Sequence, residues 1–471
     1  MIPIVTPEEM AAVDRAAPER VDVLVERAGY AVARSAIQMM GGAYGKRVVV
    51  VAGQGNNGAD GRAAAAFLAT RGAAVSVLEA GSVAAGVVLP AADLVIDAAY
   101  GTGLSRPYSP PDPGRTPVLA VDIPSGLSGT TGNPVGADAG GGALRADRTV
   151  TFAAYKPGLL LGAGPDLTGL IEVVDIGLGP LVDRAAHAWV VTDDDVAGLL
   201  PPRARRTHKW NAAVTVVGGS QAMPGAPLLS AQGALRAGAG YAMVAVPGSP
   251  LGAGLPPGEY VGISLPERHW GAAAAESARR ARAAVIGPGL GAGALCPGSG
   301  AGADTPVARF LAATSVPAVV DADGLTALHD VATVRKIAED RVHPMVLTPH
   351  EGEFARLVTR PPADDRIADV RDVASKTGTV VLLKGSTTVV ADPDGRVLVV
   401  DSGSSRLATA GTGDVLSGVI AAFLARGVAA LEAAALGAHC HGRAAGLGPS
   451  EGLVASDLPT LLSRWLSELL V

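Results

Sequence analysis

The sequence has few cysteines, few aromatic residues and no long uninterrupted apolar run. Its 471 residues include two cysteines, Cys296 and Cys440, and aromatic residues make up only 3%. The cysteines lack metal-ligand spacing, and the net charge of −6 argues against a basic surface for nucleic acid. Residues 1–20 lack the pattern of a signal peptide, and no apolar run reaches the roughly 18 residues of a membrane span. We therefore expect a cytoplasmic protein without nucleic-acid or membrane partners.

Strand-like and helical segments alternate twice along the chain. An amphipathic helix over 21–40 opens the first series, and a proline- and charge-rich segment over 193–211 separates the two series as an irregular linker. The pattern predicts an α/β protein of two tandem three-layer α/β/α domains, 1–200 and 201–471. The predicted strands cover 46–53, 73–80, 93–100, 117–124, 148–155 and 171–178, then 213–218, 241–247, 283–287, 316–321, 344–348, 379–383 and 397–401. The predicted helices include 59–71, 226–238, 271–282 and 413–426.

A glycine- and asparagine-rich loop lies between the first predicted strand and the helix that follows it. The loop has the sequence GQGNNGADG and covers residues 53–61. Glycines allow a phosphate to approach the backbone, and a helix N-terminus offers it free N–H groups. Asn56 and Asn57 interrupt the GxGxxG spacing, so the usual dinucleotide fingerprint is absent. An ordinary strand-to-helix turn remains the alternative.

Polar residues also follow three further strands of the first domain. Asp97 ends one strand before a GTG loop, and Asp122 ends the next strand shortly before Ser125. Ligands of open α/β sheets bind at the carboxyl ends of the strands, although both aspartates could instead cap turns. Asn57, Asp97 and Ser125 offer the oxygen ligands that an alkali or alkaline-earth cation prefers. Lys156 lies in a KPG turn at the same edge. It either binds phosphate or takes part in acid–base chemistry, or it is an ordinary solvated lysine.

These motifs, in order, resemble those of the NAD(P)H-hydrate epimerases. The motifs are NNGAD, DAAYGTGL, VDIPSGL and TFAAYKPG, and the resemblance covers about 8–180. It implies a Rossmann-like domain in which Asp122 contacts the reacting ring, while Asn57, Asp97 and Ser125 bind K⁺. We predict Asp122 and Lys156 as catalytic residues. The substrate-binding residues implied by the resemblance are Asn56, Asn57, Gly58, Ala59, Asp60, Gly101, Thr102, Gly103, Leu104, Ser105, Arg106, Pro107 and Asp122. Ala59 stands where the family usually has a second glycine.

In the second domain, a glycine-rich turn runs directly into a helix. The segment TAGTGDVLSG places Asp414 in the first helical turn. The helix N-terminus can stabilise the charge on a transferring phosphoryl group, and the carboxylate can accept a proton from the attacking hydroxyl. The alternative is an aspartate that only complements the helix dipole. Lys384, in a KGSTT turn between two predicted strands, is placed to meet a nucleotide.

The motifs of the second domain resemble, in order, those of the ADP-dependent NAD(P)H-hydrate dehydratases of the ribokinase-like superfamily. They are GGS and GAP, ALRAGAG, GPGLG, DADGL, TPHEGEF, LKGSTT and AGTGDVLSG, over about 205–465. The resemblance implies a ribokinase-like domain. The substrate contacts it implies are Ala226, Gly289, His350 and Asp414, and the nucleotide contacts are Lys384, Gly385, Ser386, Thr387, Thr388 and Gly413. Trp210 replaces a glycine that is usual in the family.

Both resemblances together imply a bifunctional enzyme that repairs hydrated NADH and NADPH. The first domain would interconvert the R and S hydrates. The second would phosphorylate the S hydroxyl with ADP, using Asp414 as base, and loss of phosphate would give NAD(P)H, with AMP as the other product. The resemblance also implies K⁺ in the first domain, Mg²⁺ in the second and a homo-oligomer. Two alternatives remain: a ribokinase-like kinase of a small alcohol with a non-catalytic first domain, and a nucleotide-binding protein without catalysis.

Overall fold

The computed structural model describes residues 1–249, 258–291 and 302–470. The chain forms two compact units, the smaller over residues 2–188 and the larger over residues 189–471 together with Met1. The boundary predicted at 200/201 falls later than this division, because residues 189 and 190 already belong to a strand of the larger unit. Cys440 is buried and unpaired, whereas Cys296 lies outside the described residues. Within the described ranges, every helix is too short or too polar to cross a bilayer.

The smaller unit has one parallel sheet with the order β3-β2-β4-β5-β6-β7. Its strands are β1 (Ile2–Ile4), β2 (Arg47–Ala52), β3 (Ala74–Glu79), β4 (Leu94–Ala98), β5 (Val118–Val121), β6 (Arg148–Phe152) and β7 (Leu170–Val174). Its helices are α1 (Pro7–Ala16), α2 (Val21–Met40), α3 (Asn56–Thr70), α4 (Pro157–Leu160), α5 (Gly164–Leu167) and α6 (Gly179–Ala185). Each strand predicted in this half is confirmed, and β1 is additional. The loops after β2, β4, β5 and β6 therefore meet at one edge of the sheet.

Small side chains let the layers of this unit approach closely. The strand β2, RVVVVA, is buried beyond its first residue because β3 and β4 flank it and helices cover it. Helices α2 and α3 pack so closely that a Cβ on Gly29 would lie 2.4 Å from the Cβ of Ala63. Alanine and glycine in these helices thus fix the position at which α3 begins.

The larger unit contains a mixed sheet with the order β8-β17-β16-β15-β14-β13-β12-β9-β10-β11. Its strands are β8 (Ala188–Val190), β9 (Ala213–Val217), β10 (Tyr241–Pro247), β11 (Val261–Leu265), β12 (Ala283–Ile286), β13 (Ala318–Val320), β14 (Met345–Leu347), β15 (Val380–Leu383), β16 (Thr388–Ala391) and β17 (Val397–Val400). Its helices are α7 (Asp193–Leu199), α8 (Gly225–Arg236), α9 (Gly271–Ser277), α10 (Pro306–Ala313), α11 (Asp323–Leu328), α12 (Val331–Glu339), α13 (Glu351–Val358), α14 (Arg366–Thr377), α15 (Thr412–Ala425), α16 (Ala430–Gly446) and α17 (Leu458–Leu469). The strands from β11 to β15 pair in parallel, whereas β15, β16 and β17 pair antiparallel. The α/β class and the alternation predicted for this half are confirmed.

The irregular linker predicted over 193–211 is wrong for its first residues, which form α7. Thr192 and Asp195 form a capping box at the start of this helix. Asp193 then pairs with Nε2 of His439, at 2.7 Å, and with Arg443 on α16. The run of acidic residues is therefore a helix start, and its partners lie far away in the sequence.

Helix α15 is held in the centre of the larger unit by a close crossing with α8. A Cβ on Gly418 would lie 1.9 Å from the carbonyl oxygen of Ser230, and one on Gly233 would lie 2.4 Å from that of Val415. Most of α15 is buried for this reason. The crossing fixes the N-terminus of α15 near the carboxyl ends of the parallel strands.

Candidate active sites

A cavity of about 920 Å³ opens in the smaller unit at the carboxyl edge of its sheet. A volume of this size suits a ligand as large as a dinucleotide. The predicted residues that line it are Asn56, Asn57, Asp60, Gly101, Thr102, Gly103, Leu104, Ser105, Arg106, Asp122 and Lys156. Gly58, Ala59 and Pro107 were predicted as well but do not line the cavity, although the structure describes all three. The structure therefore brings most of the first predicted site to one place.

The loop before α3 presents the backbone to this cavity. Helix α3 begins at Asn56, and no side chain among the described residues caps its N-terminus, so its first N–H groups are available to an anion. A Cβ on Gly58 would lie 1.9 Å from the carbonyl oxygen of Gly53, so this turn requires glycine. Ala59 follows with its N–H bonded to the carbonyl of Gly55, and its methyl group lies outside the cavity lining.

Asp122 and Lys156 form a buried ion pair at the wall of the cavity. Lys156 Nζ lies 2.6 Å from Asp122 Oδ1, and it also donates to Thr151 Oγ1 and to the carbonyl of Phe152, each at 2.9 Å. The Lys156 side chain is only 1% exposed, so the alternative of a solvated lysine is wrong. Asp122 has φ of +67°, and the N–H of Ile123 bonds back to Val121, which makes a strained tight turn.

Two further carboxyl groups lie near this pair. Burial, together with repulsion from Asp122 and Asp14, raises the pKa of Asp60 to about 8. The pKa of Asp14 on α1 is also raised, chiefly by burial. Asp60 therefore keeps its proton at neutral pH beside a carboxylate that is paired with a lysine. Sequence reasoning missed Asp14, since no motif surrounds it and only the fold brings α1 to the cavity.

Two of the three residues predicted to bind a cation, Asp97 and Ser125, contact each other. Ser125 donates its N–H to Asp97 Oδ2 at 2.7 Å, and its Oγ accepts the N–H of Tyr100 at 2.9 Å. Burial raises the pKa of Asp97, against the effect of its hydrogen bonds from Ser125 and Ala99. Both polar atoms of the Asn57 side chain are buried without a hydrogen-bond partner among the described residues. A buried amide oxygen without a partner, on a loop at the same edge of the sheet as Asp97, is an oxygen ligand of the kind that fits K⁺.

In the larger unit, the candidate site surrounds the start of α15. Gly411 caps the helix with φ of +91°, and within the described ranges the N–H groups of Gly413 and Asp414 have no backbone acceptor. Burial raises the pKa of Asp414 to about 7, with a further increase from Asp321 and an opposing effect of Lys384. A half-buried carboxyl group with this pKa is suited to accept a proton at neutral pH.

Lys384 reaches the same end of α15 from the end of β15. Its Nζ lies 2.9 Å from Asp321 Oδ1 and 3.9 Å from Glu353 Oε2. A Cβ on Gly413 would lie 3.4 Å from that nitrogen, so the glycine leaves room for the ammonium group. The other residues of the KGSTT turn differ in their exposure to solvent. Gly385 and Ser386 are exposed, whereas Thr387 and Thr388 are buried.

The remaining predicted substrate residues lie on neighbouring loops. A Cβ on Gly289 would lie 3.0 Å from the Cβ of Ala226, so these two residues are in contact. His350 caps α13, and its Nδ1 accepts N–H bonds from Gly352 at 3.0 Å and Glu353 at 3.4 Å. In neutral His350 the proton therefore lies on Nε2, and this nitrogen lies 3.5 Å from Glu353 Oε1.

Trp210, which replaces a glycine usual in the family, packs away from this site. The guanidinium carbon of Arg280 lies 3.7 Å from the centre of its ring, and the ring of Tyr241 lies 4.5 Å away. Tyr241 is the first residue of β10, and the candidate site lies at the opposite, carboxyl ends of the parallel strands. The larger side chain is therefore accommodated without entering the site.

Sequence patterns of known families match both units. The NAD(P)H-hydrate dehydratase pattern matches residues 214–468, and the pattern described as YjeF-related protein N-terminus matches 21–86 and 81–158. The bifunctional NAD(P)H-hydrate repair enzyme Nnr of Salinibacter ruber is 35% identical over 99% of this chain and 96% of its own length. The chain belongs to the family of bifunctional NAD(P)H-hydrate repair enzymes.

Other repair enzymes match over a similar length. The enzyme of Mycobacterium leprae is 38% identical over 95% of this chain and 93% of its own length, and that of Escherichia coli is 32% identical over 94% and 88%. A crystal structure of the ADP/ATP-dependent NAD(P)H-hydrate dehydratase from Bacillus subtilis, co-crystallised with ATP and Mg²⁺, aligns with 59% of this chain and 97% of its own length. That alignment has a TM-score of 0.47 and 26% identity.

Proposed function

We propose that the chain repairs hydrated NADH and NADPH in two steps, epimerisation in the smaller unit and ADP-dependent dehydration of the S hydrate in the larger. One observation carries the proposal. The chain combines a cavity whose wall holds the buried Asp122–Lys156 pair with a helix N-terminus at which Asp414 lies within the electrostatic influence of Lys384. The first arrangement suits proton transfer on a bound dinucleotide, and the second suits phosphoryl transfer.

In the smaller unit, we assign complementary roles to Asp122 and Asp60. The hydrated ring carries its hydroxyl at C6, beside the ring nitrogen N1. Asp60, which holds a proton at neutral pH, donates it to the C6 hydroxyl, and the N1 lone pair forms the C6=N1 bond as water leaves. Asp122, held by Lys156, accepts a proton from the water that adds to the opposite face. The proton then returns to Asp60, so that only the configuration at C6 has changed.

K⁺ is the cation that we assign to the smaller unit. Asn57, Asp97 and Ser125 would hold it, and the unpartnered amide of Asn57 supports this assignment. The bound ion would neutralise the buried Asp97 and provide a fixed positive charge. By joining these residues it would also order the loops that follow β2, β4 and β5, which line the cavity.

In the larger unit, the C6 hydroxyl of the S hydrate attacks the β-phosphorus of ADP. Asp414 accepts the hydroxyl proton as the bond from phosphorus to AMP breaks. The free N–H groups of Gly413 and Asp414 stabilise the charge on the phosphoryl group. Phosphate then leaves C6 with the electrons of that bond as the N1 lone pair forms C6=N1. A C5 proton passes to water, and its bonding electrons form the C5=C6 bond of NAD(P)H while the pair returns to N1.

Mg²⁺ is expected to accompany the nucleotide. Among the described residues, no group of three or more His, Cys, Asp or Glu side chains forms a metal site. The phosphates of ADP would therefore supply most of its ligands, as they commonly do for Mg²⁺, and the ion would neutralise phosphate charge.

The proposal is tested by the recovery of NADH absorbance from a mixture of R and S hydrates with ADP, K⁺ and Mg²⁺. We expect nearly complete recovery from the intact chain. Asp122→Ala should recover only the S fraction at the fast rate, and Asp414→Ala should recover almost none. Absence of any ADP-dependent recovery would refute the dehydratase assignment and favour a small-alcohol kinase. The homo-oligomer implied by the family resemblance remains a prediction, which analytical ultracentrifugation would test.

A further inference from the structure

Asp321 is one of the most deeply buried carboxylates of the larger unit, and sequence reasoning did not assign it a role. It follows β13 directly, and its side chain is 2% exposed. Each carboxylate oxygen has a separate partner. Oδ1 accepts from Lys384 Nζ at 2.9 Å, and Oδ2 accepts from Ser417 Oγ at 2.6 Å. Asp321 thus joins the end of β15 to the first turns of α15.

The ion pair with Asp321 determines where the ammonium of Lys384 lies. Nζ is held beside Gly413, at the start of α15. The N–H groups of this helix start are available there to a phosphoryl group. Glu353 lies farther from Nζ, at 3.9 Å, and Asp414 also acts electrostatically on Lys384, but Asp321 is at hydrogen-bond distance and is the principal anchor. A lysine side chain has several rotatable bonds, and without this anchor its charge would spread over many positions.

We propose that Asp321 is a positioning residue of the dehydration reaction, which holds the Lys384 ammonium at the point where the phosphoryl group passes from ADP to the substrate hydroxyl. Asp321 itself touches neither substrate nor nucleotide. The transfer forms the bond from the C6 oxygen to phosphorus, breaks the bond from phosphorus to AMP and moves the hydroxyl proton to Asp414. Lys384 stabilises the negative charge of the transferring group throughout. This inference rests on the proposed function of the larger unit.

The proposal is tested in the full chain with the pure S hydrate, ADP and Mg²⁺. Asp321→Asn removes the charge but keeps the shape of the side chain. We expect kcat to fall about 100-fold, with little change in KM for ADP, because a misplaced catalytic group costs that order of rate. Ser417→Ala is the matched control, because it breaks the link to α15 but leaves the Asp321–Lys384 pair. It should stay within about threefold of the wild type.

A double-mutant cycle separates positioning from general support of the fold. If Asp321 acts through Lys384, Asp321→Asn should cost no further rate in a Lys384→Met background. Multiplicative losses in the double variant would overturn the proposal, and so would an equal loss in Ser417→Ala, since Asp321 would then only brace the helix. Thermal unfolding reports whether each variant folds. If Asp321→Asn fails to fold, Asp321→Ser, which keeps a small polar side chain, takes its place in the cycle.

The pH profile of kcat provides a second readout, which reports the effect of the Asp321 charge on Asp414. Asp414 must be ionised to act as base, so kcat rises with pH through the pKa of Asp414, about 7. The other titratable groups facing this end of α15 are Asp323, Glu353, Lys384 and His441, and burial lowers the pKa of His441 to about 4. Removing the charge of Asp321 should move the rise to lower pH, whereas Ser417→Ala should not.

An inactive wild type would refute the proposed function. An active wild type with an unaltered pH profile and rate in Asp321→Asn would refute this inference alone.

Discussion

Lys156 Nζ lies 2.6 Å from Asp122 Oδ1, and burial leaves this lysine without access to water as an alternative partner. The pair closes one wall of the cavity and connects the ends of β5 and β6. Because Lys156 is almost fully buried, a cation from solvent cannot take its place as the partner of Asp122.

The first prediction concerns this pair. Lys156→Met should lower the epimerisation rate by about 100-fold or more, because Asp122 loses the partner that fixes its position and charge. The dehydration of pure S hydrate serves as an internal reference in the same sample. Lys46→Met, at a partly exposed lysine of the same unit whose ion pair is 4.0 Å long, is the control and should be unaffected. An epimerisation rate in Lys156→Met equal to that of the control would contradict a role for the pair.

The second prediction concerns the pH dependence of epimerisation. Asp60 acts as an acid only while it is protonated, and its pKa is about 8, raised by burial and by neighbouring carboxylates. The rate should therefore be highest below this pH and fall as the pH rises through it. Asp60→Asn should be slow and should lack this fall, since the amide does not titrate. Stopped assays of the R-to-S ratio over a pH series provide the measurement, and an unchanged basic limb in Asp60→Asn would exclude Asp60 as its source.

The third prediction concerns the base of the dehydratase. Asp414→Asn should lower kcat for the S hydrate by about 10²–10⁴-fold, the usual contribution of general-base catalysis. The binding of ADP should change little, because the N–H groups at the start of α15 remain. Rates come from NADH absorbance and ADP affinity from calorimetry. A loss of ADP binding that matches the loss of rate would mean that Asp414 binds the nucleotide rather than accepting the proton.

The fourth prediction compares two adjacent positions of the loop before α3. Gly58→Ala should abolish epimerisation, since the added methyl group would collide with the carbonyl of Gly53. Ala59→Gly restores the residue that is usual in the family, yet it should change KM by less than about twofold, because the methyl group of Ala59 does not line the cavity. A large gain of activity in Ala59→Gly would show that this methyl group obstructs the substrate after all.

The fifth prediction concerns the cation. Exchange of K⁺ for tetramethylammonium, a much larger cation that cannot accept oxygen ligands at the same short distance, should lower the epimerisation rate and the melting temperature of the wild type. Asn57→Ala should be insensitive to this exchange, because one of the proposed ligands is lost. Dehydration of the S hydrate provides the control reaction. An equal response of the wild type and Asn57→Ala would place the cation elsewhere.

The sequence by itself determined the α/β class, the positions of most strands and the family. These features are local, because apolar runs make buried strands and glycine-rich turns at strand ends are short continuous motifs. It also predicted that Asn57, Asp97, Asp122 and Lys156 share one edge of the sheet, since parallel strands bring their carboxyl ends together. The chemistry at strand ends could therefore be proposed before the fold was known.

Only the tertiary structure decided which of these residues are partners and how strongly each is buried. Asp321 meets Ser417 across a separation of 96 residues, and Asp14 reaches the cavity from a helix without any motif. The raised pKa values of Asp60 and Asp414 arise from burial and from charges on other loops, which no local pattern encodes. The acidic segment that forms α7 had the sequence pattern of a linker, because the partners that hold Asp193 lie far along the chain, on α16. Electrostatics and burial depend on distances in space, and these are set by the packing of the whole unit.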